Sequence, residues 1–229
     1  MLWMTVFHFS FDLANAGYTQ QNFYADPVWT WQRTCILGLF LLCAGAGQAI
    51  AVAQGQSWGR FWRRWGQIAG CAVLVSLGSW FMFPQSYIYF GVLHGIAVML
   101  IVARLSAHWG RWLWPAGGLA VASKFIAAYA ISTGAMPQSF NEKALNWLGW
   151  VGQLPMTEDY VPVFPWLGVL WWGMAAAQWW LARGANPVLT ALNRVWMLGW
   201  MGRHSLSYYM LHQPVLLGLL AVFGMAWKG

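Results

Sequence analysis

The sequence is poor in charge. Of its 229 residues only 7% are charged, while 60% are hydrophobic; soluble domains run near a quarter charged. A soluble fold has nowhere to hide that much apolar surface, whereas a bilayer does. Cysteine is scarce, and Cys35, Cys43 and Cys71 lie in apolar runs without metal or disulfide spacing, which makes them packing residues. G-x-S-x-G, Walker A and G-x-G-x-x-G patterns are missing, so the usual serine-hydrolase, NTPase and dinucleotide signatures have no support. No internal repeat and no low-complexity tract is present. No polar domain exists to display a nucleic-acid surface, so the net charge of +7 reads as membrane orientation and not as nucleic-acid binding.

What the chain does have is apolar length and tryptophan. Apolar segments lie near 1–17, 31–53, 65–83, 88–105, 111–131, 163–182 and 205–227, most of them near the ~20 residues that cross a hydrocarbon core. The 20 Trp suit membrane–water interfaces, where an apolar ring and a polar N–H are both satisfied. These features predict an all-α, polytopic membrane helix bundle of about seven transmembrane helices, forming one integral-membrane domain over 1–229. The first segment is no signal peptide, because it lacks a basic start and carries His8 and Asp12 in its interior. It is expected to be the later part of a helix that begins upstream.

The connections alternate in charge. Arg60, Arg63, Arg64, Arg104, Arg111, Arg183, Arg194 and Arg203 fall on one side; Asp26, Glu142, Lys143, Glu158 and Asp159 fall on the other, with Arg33 near the start of the second segment. The positive-inside rule then puts connections 54–64, 106–110 and 183–204 in the cytoplasm, with a cytoplasmic N-terminus and an outer C-terminus. The stretch Trp58–Trp65 reads as an inner interfacial anchor. In the long outer connection, Ser139-Phe140-Asn141-Glu142 matches a capping box and is followed by Leu145, Leu148 and Val151, which predicts a short interfacial helix over 139–151.

Ionisable groups within apolar segments cost several kcal/mol unless paired or hydrated, so they are candidates for function. His8, His94 and His212 each fall roughly 10–13 Å below a surface at 1.5 Å per residue, a depth at which they can share one layer. Asp12 follows His8 by four residues and shares its helix face. The plain alternative for each is a hydrogen bond to a neighbouring helix. Three His and an Asp could hold a metal, but no H-x-x-x-H or Cys pair supports one, and none is expected. His108 and His204 fall at the inner interface.

Several stretches together resemble the bacterial branch related to the catalytic domain of heparan-alpha-glucosaminide N-acetyltransferase, within the transmembrane acyltransferase superfamily. They are Val6-Phe7-His8-Phe9-Ser10-Phe11-Asp12-Leu13, Gln32-Arg33, Phe90-Gly91-Val92-Leu93-His94-Gly95-Ile96, Asp159-Tyr160-Val161-Pro162-Val163-Phe164-Pro165-Trp166-Leu167-Gly168, Gly202-Arg203-His204-Ser205-Leu206 and Leu211-His212-Gln213-Pro214. They span nearly the whole chain in order. The resemblance implies transfer of an acetyl or other acyl group from cytoplasmic acetyl-CoA to a sugar or glycan-like acceptor beyond the membrane, in a bacterial inner membrane. Two departures stand out. The Arg-Gly motif early in the first helix is absent. The stretch where eukaryotic relatives carry a catalytic His reads Gln21-Asn22-Phe23-Tyr24-Ala25-Asp26 here.

The expected catalytic set is therefore inferred from chemistry: His8 as general base oriented by Asp12, with His94 and His212 assisting at the thioester, or either of them as the base instead. Arg33, Asp159, Tyr160 and Gln213 are expected to bind substrate. The expected partners are the acyl-CoA donor, a carbohydrate acceptor and the lipid bilayer, with homo-oligomerisation left open. A proton-coupled transporter using the His layer as a relay is the competing function, and a non-catalytic membrane subunit is a third.

Overall fold

The structure, a computed structural model, describes residues 1–184, Trp200, Gly202 and 204–228, with side chains described to residue 224. Among the described residues it is an all-helical membrane bundle with helices α1 (Leu2–Asn15), α2 (Pro27–Ala53), α3 (Trp58–Met82), α4 (Val92–Leu105), α5 (Leu113–Ser132), α6 (Val163–Ala182) and α7 (Ser205–Lys228). Each helix answers to one apolar segment. By length and composition α2, α3 and the Ser205–Gly224 part of α7 can each cross a membrane. The pair α4 and α5 would form a fourth crossing if counted together, bent by 99° at the 3-10 turn Ala107–Trp112. Helix α1, at 14 residues, reaches about 21 Å. Arg194 and Arg203, part of the basic set read from sequence, lie outside the described residues.

Local signals explain several helix ends. Pro27 occupies the first turn of α2, where its missing N–H costs nothing, and Asp26 Oδ1 accepts from the Val28 N–H at 2.8 Å. The end of α2 turns through Gly55, at φ 68°, and the Gln56 N–H returns to the Ala51 carbonyl, a helix stop that glycine makes cheaply. Ser57 then accepts from the Arg60 N–H and starts α3.

The chain divides into two compact units, each taken by itself: Met1–Leu39 with the described part of 185–229, and Phe40–Gly184. In the first, α1 packs on α7. An aromatic knot of Phe7, Phe23 and Trp29 fills the base of the 16–26 connection, with the Phe23 and Trp29 rings 4.2 Å apart.

In the second unit, α5 and α6 pack most tightly, and small residues set the approach. A Cβ on Gly45 would collide with the Leu170 carbonyl oxygen, and one on Gly173 with the Leu42 carbonyl oxygen, so α2 and α6 touch backbone to backbone. Gly117 and Gly168 do the same for α5 and α6. In lipid, where burying apolar side chains between helices gains little, this fit and its dispersion contacts hold helices together.

The 139–151 stretch corrects the expectation of a helix. It forms two 3-10 turns, Gln138–Asn141 and Asn146–Leu148. The residues that suggested a helix are used otherwise. Asn141 Oδ1 accepts from the N–H groups of Gly152 and Gln153, and Asn146, 1% exposed, donates to Tyr89 Oη. Side-chain bonds to distant groups, backbone for Asn141 and a phenol for Asn146, thus replace the helical ladder, and Gly149, at φ 97°, turns the chain away.

Candidate active site

The histidines expected at the site fall in two clusters, one in each unit. In the first unit, four residues of spacing make His8 and Asp12 neighbours on one face of α1, and α7 brings Gln213 against both. His8 Nδ1 is 2.5 Å from Gln213 Oε1, and Gln213 Nε2 donates to Asp12 Oδ1 at 2.9 Å. The expected direct contact between Asp12 and His8 is thus replaced by a relay through an amide. Both residues are reached from α7, which no local pattern in α1 could show.

Donor and acceptor rules fix the protons. A carboxylate only accepts, so Gln213 must turn its NH₂ towards Asp12 and its carbonyl towards His8. That carbonyl also only accepts, so His8 carries its proton on Nδ1 and its Nε2 is a bare acceptor. His212 reaches the same state independently: its Nδ1 lies 2.7 Å from the Tyr209 carbonyl oxygen, which again only accepts. Its Nε2 is buried and has no hydrogen-bond partner among the described residues.

The two imidazoles meet edge to face with centroids 5.0 Å apart, and the Tyr208 ring lies parallel to His212 at 6.0 Å. Tyr208 Oη hydrogen-bonds Thr5 Oγ1, tying α7 to α1 a turn further along. Asp12 is 5% exposed, yet its Oδ2 also lacks a partner among the described residues. Pro214 follows the relay and has no N–H to give the Met210 carbonyl, which loosens α7 next to the cluster.

Arg33 stands exposed on α2 in this unit, while its neighbour Gln32 accepts from Trp3 Nε1 at 3.0 Å. A shallow depression of about 360 Å³ opens beside the relay helix, lined by Phe11, Asn15 and residues 19–24.

In the second unit, His94 sits in the first turn of α4. Its Nδ1 accepts from the Gly91 N–H at 3.3 Å and its Nε2 lies 3.0 Å from Ser76 Oγ. Ser76 gives its own proton to the Ile88 carbonyl at 2.7 Å, so the His94 proton is on Nε2 and both ring nitrogens are engaged. Asp159 Oδ2 accepts from the Val92 N–H at 2.8 Å and caps α4. A Cβ on Gly91 would collide with that carboxylate.

Tyr160 Oη donates to the Asn146 carbonyl at 2.6 Å. Burial, with Tyr89 close by, pushes its phenol well above the ordinary range, so it stays a donor. Glu158 accepts from Ser86 Oγ. Asp159, Tyr160 and His94, expected at the substrate, thus lock the 86–92 connection to the start of α6, and the Val161 N–H donates to the Phe90 carbonyl. Of the expected catalytic residues, His8, Asp12 and His212 gather with Gln213; His94 belongs to the other unit. Among the described residues no group of three His, Cys, Asp or Glu is placed to hold a metal ion.

A family model described as "Heparan-alpha-glucosaminide N-acetyltransferase, catalytic" matches residues 1–214. The match takes in both clusters and ends one residue beyond the relay glutamine. No curated protein and no solved structure matches the chain.

Proposed function

The chain belongs to the heparan-alpha-glucosaminide N-acetyltransferase catalytic family, and from that premise we propose that it is a membrane acyltransferase moving an acetyl group from acetyl-CoA to a hydroxyl or amine of a sugar-like acceptor. The observation that carries the reading is the Asp12–Gln213–His8 relay, which fixes one imidazole tautomer and leaves its Nε2 bare.

His8 Nε2 takes the proton of the acceptor O–H or N–H as the acceptor atom attacks the thioester carbonyl. The C–S bond breaks, and the thiolate recovers that proton from His8. His212 Nε2, also bare, accepts a second hydrogen from the acceptor and holds it in line. This differs from a role polarising the thioester carbonyl, which needs a donor. His94 and Asp159 serve the architecture of α4. The Arg asymmetry supports a cytoplasmic donor and an outer acceptor, and the resemblance to the bacterial branch supports a bacterial inner membrane.

The test uses purified protein in lipid nanodiscs with labelled acetyl-CoA and a panel of amino sugars and neutral sugars. Acceptor-dependent release of CoA, with label on the sugar, is expected. No turnover with any acceptor, together with proton-coupled solute uptake in proteoliposomes, would overturn the reading in favour of a carrier.

A further inference from the structure

A guanidinium with one unpartnered nitrogen lies outside the proposed catalytic cluster, in the second unit where the end of α4 meets the start of α3. Arg104, in the last turn of α4, is half-buried. Its Nη2 donates to the Gln56 carbonyl, and its guanidinium lies over the rings of Trp58, at 5.0 Å, and Phe61, at 5.7 Å. Its Nη1 is buried and has no acceptor among the described residues.

No carboxylate of the second unit supplies one. The chain has no Asp or Glu between Asp26 and Glu142, and Glu142, Glu158 and Asp159 belong to the connections at the other ends of α4, α5 and α6. Arg60 is drawn to the same corner, donating to the Gly55 carbonyl at 3.1 Å. Arg63 and Arg64 follow it in the opening turns of α3, where the positive end of the helix repels cations. Sequence and fold thus concentrate positive charge around a guanidinium whose second nitrogen still has hydrogens to give. An isolated buried cation is costly unless an anion meets it.

We propose that Arg104, with the opening turn of α3, forms a binding site for a phosphoryl group. The guanidinium offers forked donors to a tetrahedral oxyanion, and Trp58 and Phe61 hold its plane while screening it from water. Two sources carry that chemistry: the phosphates of the CoA donor, an arm that rests on the acyl-transfer reading, and the headgroup of an anionic phospholipid, which does not.

Full-length protein in phosphatidylcholine nanodiscs is titrated with CoA, without acyl group or acceptor. In a parallel arm, protein purified from phosphatidylglycerol-containing bilayers is examined by native mass spectrometry for retained lipid. Arg104→Gln is expected to weaken CoA binding, or phosphatidylglycerol retention, by about tenfold or more, the scale of one charge-assisted contact. The arm that responds names the source. If Arg104→Gln folds and both ligands bind within about twofold of the parent, the site is refuted and Arg104 only closes the ends of α2 and α4. Where Arg104→Gln does not fold, Arg104→Lys decides: loss of the fork should still weaken binding severalfold, and unchanged binding refutes the site. Neither arm needs turnover, so a failed transferase assay leaves this result standing, and the reverse.

Discussion

Two polar clusters, made of similar residues, end in opposite states. Around His94 every valence is closed: Ser76, Ile88, Gly91 and the imidazole form a chain in which each donor meets an acceptor. Around His8 the chain is left open: His212 Nε2 and Asp12 Oδ2 are buried without a partner among the described residues, and the bond to Gln213 leaves His8 Nε2 without a proton. A saturated buried network stabilises a fold, whereas leaving buried acceptors without donors costs roughly 1–3 kcal/mol each. The two histidine clusters therefore differ in how completely their hydrogen bonds are made, and that difference is what the proposed catalytic role of His8 builds on.

The sharpest way to break the contrast is to exchange its two histidines. His8→Ala should lower acceptor-dependent CoA release by about a hundredfold or more, the usual reach of a general base, while His94→Ala should leave turnover per folded molecule within a few-fold. The reverse result would move the base to His94. Gln213→Leu comes next. With the relay cut, His8 is free to protonate either nitrogen, and kcat should fall by about tenfold while CoA affinity holds, the latter read by direct titration. Loss of CoA binding instead would make Gln213 a donor-binding residue.

Ser76→Ala probes the closed cluster. It strands the Ile88 carbonyl and the His94 Nε2–H, so it should destabilise by about 1–3 kcal/mol, visible as a lower thermal midpoint in detergent with turnover preserved. The smallest effect is expected for Asp12→Asn. The amide oxygen can still accept from Gln213, but its NH₂ offers a competing orientation, so turnover should drop only severalfold. A complete loss would show that the negative charge itself stabilises the imidazolium.

The helices were legible because length and apolarity decide them locally. The segment read at 163–182 coincides with α6, and that at 205–227 falls within one residue of α7 at its far end. His8 and Asp12 were legible as a pair because helix periodicity alone places them on one face. The role of Gln213 was not, because it depends on α7 packing against α1, some 200 residues away in sequence. The cap that Asp159 places on α4 was not legible for the same reason: Oδ2 accepts from the Val92 N–H, a partner no spacing rule names. The 139–151 stretch misled in the other direction, since Asn141 and Asn146 within it spend their side chains on remote partners, the Gly152 N–H and Tyr89 Oη.

The fixed tautomer of His8 also dictates traffic. With Nδ1 committed to Gln213, a proton can arrive at the ring and leave it only through Nε2. In the proposed transfer, the acceptor's hydrogen and the departing sulfur would use the same doorway in turn, from the same side of the ring. Donor and acceptor would have to be present together, with the acetyl carbon between them, and a shuttle that loads on one edge of the imidazole and unloads on the other has no second exit.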